Sequence, residues 1–116
     1  MAVVLVVDDD AAALDIRKLV LERHGHVVVI AKDVNVARAA FLEKTPEVVI
    51  TDLRLPDSED GLALIREFRA ASAKVRIVVL CGNSSDIEGR EEAGMVNVIL
   101  TKPVRSEVLL NAIGGL

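Results

Sequence analysis

Five short apolar runs set the terms for this chain: Val3–Val7, then residues 27–30, 48–50, 75–80 and 98–100. Each is continuous rather than alternating, and rich in Val and Ile. Such runs suit strands covered on both faces, as in a parallel sheet. Amphipathic stretches separate them. Asp10 is placed to cap a helix with Ala12, Ile16, Leu19 and Val20 as its inward stripe, stopped at Gly25. Asp33 is placed to cap a second, with Val36, Ala37, Ala40 and Phe41 inward, ending before Pro46. Asp60-Gly61 opens a third carrying Leu64, Ile65 and Phe68. A fourth, over 85–93, is weakened by Gly89 at its middle, and a last one runs from Ser106 to Gly114. Five strands alternating with five helices predict a three-layer α/β domain with right-handed crossovers.

The length of 116 residues fits one such domain and leaves no room for a second, so residues 1–116 are read as a single unit. With 52% hydrophobic and 28% charged residues, a disordered tail is excluded. The net charge of −4, scattered basic residues, absence of Trp and Tyr and only two Phe argue against a nucleic-acid surface. The first apolar run is too short for a membrane span or signal peptide and leads into three aspartates. A lone cysteine, Cys81, cannot form an internal disulfide, which fits a reducing, cytoplasmic setting.

In open parallel sheets the ligand crevice lies beyond the carboxyl ends of the strands. Asp8, Asp9 and Asp10 come after the first run, Thr51 and Asp52 after the third, Cys81 after the fourth, and Thr101 and Lys102 after the fifth. Asp10 alone reads as a helix cap, and a lone lysine as solvated. Together, several carboxylates and one lysine converge on one rim. Clustered carboxylates repel unless a cation joins them, and Mg²⁺ is commonly held by one or two carboxylates plus a phosphate. A carboxylate, a hard cation and a lysine are equipment for phosphoryl transfer, with the remaining carboxylate as nucleophile.

These residues resemble the response-regulator receiver domain of two-component signalling. The likeness rests on Val6-Val7-Asp8-Asp9-Asp10, Asp52-Leu53-Arg54-Leu55-Pro56, Gly61 and Lys102-Pro103, in order along essentially the whole chain. It implies a flavodoxin-like fold with strand order 2-1-3-4-5. Residue by residue, it implies that Asp52 accepts a phosphoryl group from a histidine kinase or phosphotransfer protein. Asp9 would ligate Mg²⁺ directly, Asp8 mainly through water, and the backbone carbonyl of Arg54 would be a further ligand. Lys102 would bind a phosphoryl oxygen, next to a cis Lys102-Pro103 peptide. A homodimer or output partner would dock through the fourth and fifth helices.

Two positions depart from the family pattern. Cys81 stands where a Thr or Ser hydroxyl usually meets the phosphoryl group, and a thiol is a far weaker donor. Ile99 stands where Tyr or Phe usually turns inward on activation. Asn83 and Ser84 are the nearby candidates for a substitute donor. The segments from Pro56 to Gly61 and from Gly94 to Lys102 each look one residue longer than usual. The departures leave an alternative: a pseudo-receiver that serves as a constitutive interaction or dimerisation module. An aspartyl phosphatase is disfavoured, since the position two beyond the nucleophile is Arg54 rather than an acid. The resemblance implies a receiver that catalyses its own phosphorylation and dephosphorylation without being a turnover enzyme.

Overall fold

The computed structural model describes residues 2–114; Met1, Gly115 and Leu116 lie outside them. The strands are β1 (Val3–Val7), β2 (Val27–Ala31), β3 (Val48–Asp52), β4 (Arg76–Cys81) and β5 (Val98–Thr101). All pair in parallel in the order β2-β1-β3-β4-β5, with Val3 opposite Val27, Val4 opposite Val48, Val48 opposite Arg76 and Val78 opposite Val98. The helices are α1 (Ala11–Arg23), α2 (Val34–Lys44), α3 (Ser58–Ala71) and α4 (Ser106–Ile113).

Strand alternation sorts the core into two layers. Leu5, Val7, Val49, Ile77, Val79 and Cys81 face one side, against Ala37 and Phe41 of α2 and Leu62, Leu64, Ile65 and Phe68 of α3. Val4, Val6, Val48, Ile50, Val78 and Leu80 face the other, against Leu14 and Leu21 of α1 and Leu109, Ala112 and Ile113 of α4. The three-layer, flavodoxin-like architecture read from the sequence is therefore the one observed.

Four details differ from the sequence reading. The expected fourth helix is absent: two 3-10 turns, Ser84–Asp86 and Glu91–Met95, take its place, so the described residues hold four α-helices rather than five. Gly89 lies between them at φ +75°, a left-handed conformation that interrupts any helix. The proposed docking face loses its fourth helix accordingly. The third helix begins at Ser58, earlier than Asp60, because Asp57 and Asp60 form a reciprocal capping box. The inward stripe of α1 is Leu14 and Leu21, while Ile16 and Leu19 are 63% and 51% exposed and Ala12 is also exposed. Leu14 and Leu21 are two turns apart and share a face; Ile16 points almost opposite. On α2, Val36 is 46% exposed, and only Ala37 and Phe41 are buried.

Candidate functional site

Alternation also decides what meets at the rim. Asp8 and Asp52 continue the rows of Val4 and Val6 and of Val48 and Ile50, and Lys102 continues that of Val98 and Leu100, so all three are directed toward the α1/α4 layer. Asp8 and Asp52 are buried at 1% and 7% exposure, and Asp9 is exposed. One carboxylate oxygen from each of Asp8, Asp9 and Asp52 lies within 4.8 Å of the others. Lys102 Nζ donates to Asp52 Oδ2 at 2.7 Å and stands 3.8 Å from Asp8 Oδ2. Leu53 N–H donates to the other Asp52 oxygen at 2.9 Å. Asp10 N–H donates to Asp8 Oδ1 at 2.9 Å, while the Asp10 side chain caps α1 through Ala12 N–H, as expected of it. The Lys102-Pro103 peptide is cis, as the resemblance implied, and so is Leu55-Pro56.

Sequence reasoning missed Arg17. Its Nη1 donates to Asp8 Oδ2 at 2.5 Å from the buried face of α1, between Leu14 and Leu21. Burial opposes the Asp8 anion. The Arg17 hydrogen bond, the Asp10 N–H and the charges of Lys102 and Arg17 outweigh it, holding the carboxyl below its ordinary pKa. A basic residue on the apolar stripe of the helix after an acidic run was the available signal. The misplaced stripe hid it.

Cys81 ends β4 on the opposite parity and packs in the α2/α3 cluster, at 1% exposure. Its thiol donates weakly to Leu100 O at 3.7 Å. Burial first, then the negative charges of Asp86 and Asp52, push its pKa up, with Lys102 acting against them. Ile99, half-buried, packs against the same cluster. Asn83 uses its side-chain oxygen to cap the first 3-10 turn, accepting from Ser85 N–H and Oγ. The Arg54 side chain reaches away to Asp86, its Nε 3.1 Å from Oδ2. Gly61 is explained by crowding: a Cβ there would lie 2.0 Å from Leu53 O, so glycine lets the first turn of α3 rest on the backbone that carries Asp52.

A parallel 2-1-3-4-5 sheet whose central strands end in clustered carboxylates, with a lysine from the last strand, defines a flavodoxin-like domain with an acidic rim. The chain belongs to the response regulator receiver domain family, whose profile matches residues 4–114. It is 42% identical over 77 residues to the virulence transcriptional regulatory protein PhoP of Salmonella typhimurium (strain LT2), covering 66% of this chain and 34% of that protein. It is 40% identical over 82 residues to the transcriptional regulatory protein PhoP of Escherichia coli (strain K12), covering 71% and 36%. The matched region thus spans about a third of these relatives' length. Among solved structures, a response regulator receiver domain protein of Clostridium thermocellum superposes with a TM-score of 0.88 at 28% identity, covering 97% of this chain and 91% of that one. Chemotaxis protein CheY4 of Vibrio cholerae gives 0.87 at 27%, covering 97% and 96%. No helix of the described residues is long and apolar enough to cross a membrane.

Proposed function

We propose that this chain is a phosphoacceptor receiver in which Asp52 takes a phosphoryl group from a histidine kinase or phosphotransfer protein. The observation that supports it most is the position of Lys102 Nζ, 2.7 Å from Asp52 Oδ2 and 3.8 Å from Asp8 Oδ2. An Asp52 oxygen attacks phosphorus, the bond from phosphorus to the donor imidazole nitrogen breaks, and its electron pair stays on the imidazole. The product is an acyl phosphate on Asp52, later hydrolysed by water. Lys102, already beside that oxygen, pairs with the negative charge on the transferred group. Leu53 N–H holds the second Asp52 oxygen and fixes the carboxylate plane.

The donor set fits a hard cation: three carboxylates, each offering an oxygen within 4.8 Å of the others. Asp9 and Asp52, with the backbone carbonyl of Arg54, would hold Mg²⁺, and Asp8 would act through water. The ion would supply neutralisation of phosphoryl oxygens. Titration with Mg²⁺ and beryllofluoride, monitored by ¹⁹F NMR, should give a bound signal that Asp52→Asn abolishes. A wild-type chain with no bound signal overturns the reading.

A second reading, a pseudo-receiver with a constitutive docking role, is favoured by Cys81 and Ile99 sharing one apolar cluster, where the usual switch has a hydroxyl and an aromatic ring. Hydrogen exchange over residues 84–100 separates the two: protection altered by Mg²⁺–beryllofluoride supports a regulated receiver, and protection unchanged despite binding supports the module. The domain is proposed to occupy residues 1–116 and to work in the cytoplasm. A homodimer or output partner would meet the 3-10 segment and α4, where Val108 is 40% exposed.

A further inference from the structure

We propose that Arg17 is a resident counter-ion of the acidic site, one that weakens Mg²⁺ uptake by the resting chain and couples it to arrival of the phosphoryl group. The inference rests on the receiver reading of Asp8, Asp9 and Asp52. A guanidinium is charged at every accessible pH and makes directional bonds to carboxylates. Here it holds Asp8 Oδ2 at 2.5 Å, the same oxygen that Lys102 approaches at 3.8 Å. The side chain of Asp8 is 2% exposed and that of Arg17 17%, so water screens the pair little. Arg17 also lines a cavity of about 180 Å³ between α1 and α4, with Ala13, Val20, Val104 and Leu109.

Three carboxylates against Arg17 and Lys102 leave the resting site at a net −1. A divalent ion alone takes it to +1, whereas the ion together with a dianionic phosphoryl group on Asp52 takes it to zero. Without Arg17 the same states carry −2, 0 and −1, so the ion alone already balances the site. A divalent ion sharing one carboxylate cluster with a guanidinium feels a repulsion worth roughly tenfold in affinity even at water's screening. Arg17 therefore acts as a positioning residue: it fixes Asp8 and sets the charge that the metal meets.

The test is calorimetric titration of the whole chain with Mg²⁺, with and without beryllofluoride. Arg17→Gln should bind Mg²⁺ alone about tenfold more tightly than wild type, and beryllofluoride should improve its affinity less. Arg17→Lys, which keeps the charge, should stay near wild type. Should Arg17→Gln lose the fold, Arg17→Met, which keeps an aliphatic stem on the buried face of α1, carries the same expectation. Charge-neutral variants that bind Mg²⁺ no more tightly than a wild type whose binding needs Asp9 and Asp52 overturn the role of Arg17 alone. A wild type that takes up no Mg²⁺, or whose uptake survives Asp9→Asn and Asp52→Asn, overturns the reading of the site and the inference with it.

Discussion

Where β1, β3 and β5 end, buried charges meet one another directly: Asp8 is held by Arg17, and Asp52 by Lys102 and the Leu53 N–H. Where β4 ends, the pattern reverses. Cys81 and Ile99 turn into an apolar cluster, and the two 3-10 turns beyond are tied back by ion pairs, Asp86 to Arg54, Arg90 to Glu59, and Glu92 to Arg66. Arg54, Arg90 and Glu59 are largely exposed partners, while Glu92 is buried. The two tasks of such a domain are thus physically separated. The charge density on which the proposed phosphoryl chemistry would draw resides in strand ends, which the sheet fixes rigidly. The segment that would transmit a change is held by Ile87 in the apolar core and by ion pairs, of which the solvated ones, Arg54 with Asp86 and Arg90 with Glu59, each contribute little.

Disturbing the point where the halves touch gives the largest expected effect. Gly61→Ala drives a Cβ into the Leu53 carbonyl, 2.0 Å away, and should cost about 3 kcal/mol or more in urea unfolding. A cost under about 1 kcal/mol would mean that α3 shifts freely and does not anchor the acidic half.

Next comes acid. The pKa of Asp8 is lowered in the fold, so the stability it contributes is present above the unfolded carboxylate pKa and is lost as pH falls through the folded value. Unfolding monitored by circular dichroism from neutral pH to about pH 3 should show a loss of stability that Asp8→Asn lacks. An identical acid limb in both proteins would place the sensitivity elsewhere.

The Cys81 thiol probes the contrast from the other side. Burial and nearby carboxylates raise its pKa, so it should react with maleimide at least about tenfold more slowly in the folded chain than in urea. Equal rates would show that the apolar half is open. The smallest effect belongs to the surface tie: Arg54→Ala should change stability by about 0.5 kcal/mol or less, since its side chain is 64% exposed. A much larger loss would make this ion pair, rather than the buried Ile87, the main anchor of the 3-10 segment.

Legibility in the sequence depends on which interactions are local. The strands read correctly because a buried parallel strand is a continuous Val/Ile run, and Asp8, Asp52 and Lys102 stand out as the polar residues at the ends of such runs. Caps read well at Asp10 and Asp33, where one side chain meets backbone within three residues. Arg17 did not, because helix phase is set by which residues the sheet accepts; Ile16 and Leu19 look as apolar as Leu14 and Leu21 but face water. The 3-10 turns were illegible for a similar reason. Their shape depends on Gly89 in a left-handed conformation and on partners 26 to 32 residues away in sequence, which no window along the chain contains.

The most direct measurement is intact-mass spectrometry after incubation with acetyl phosphate and Mg²⁺, with the adduct mapped by borohydride reduction. The wild-type chain should gain one phosphoryl group, located on Asp52, and Asp52→Asn and a Mg²⁺-free sample should gain none. A wild-type chain that stays unmodified under conditions that modify another receiver domain, or an adduct on any other residue, would contradict the account.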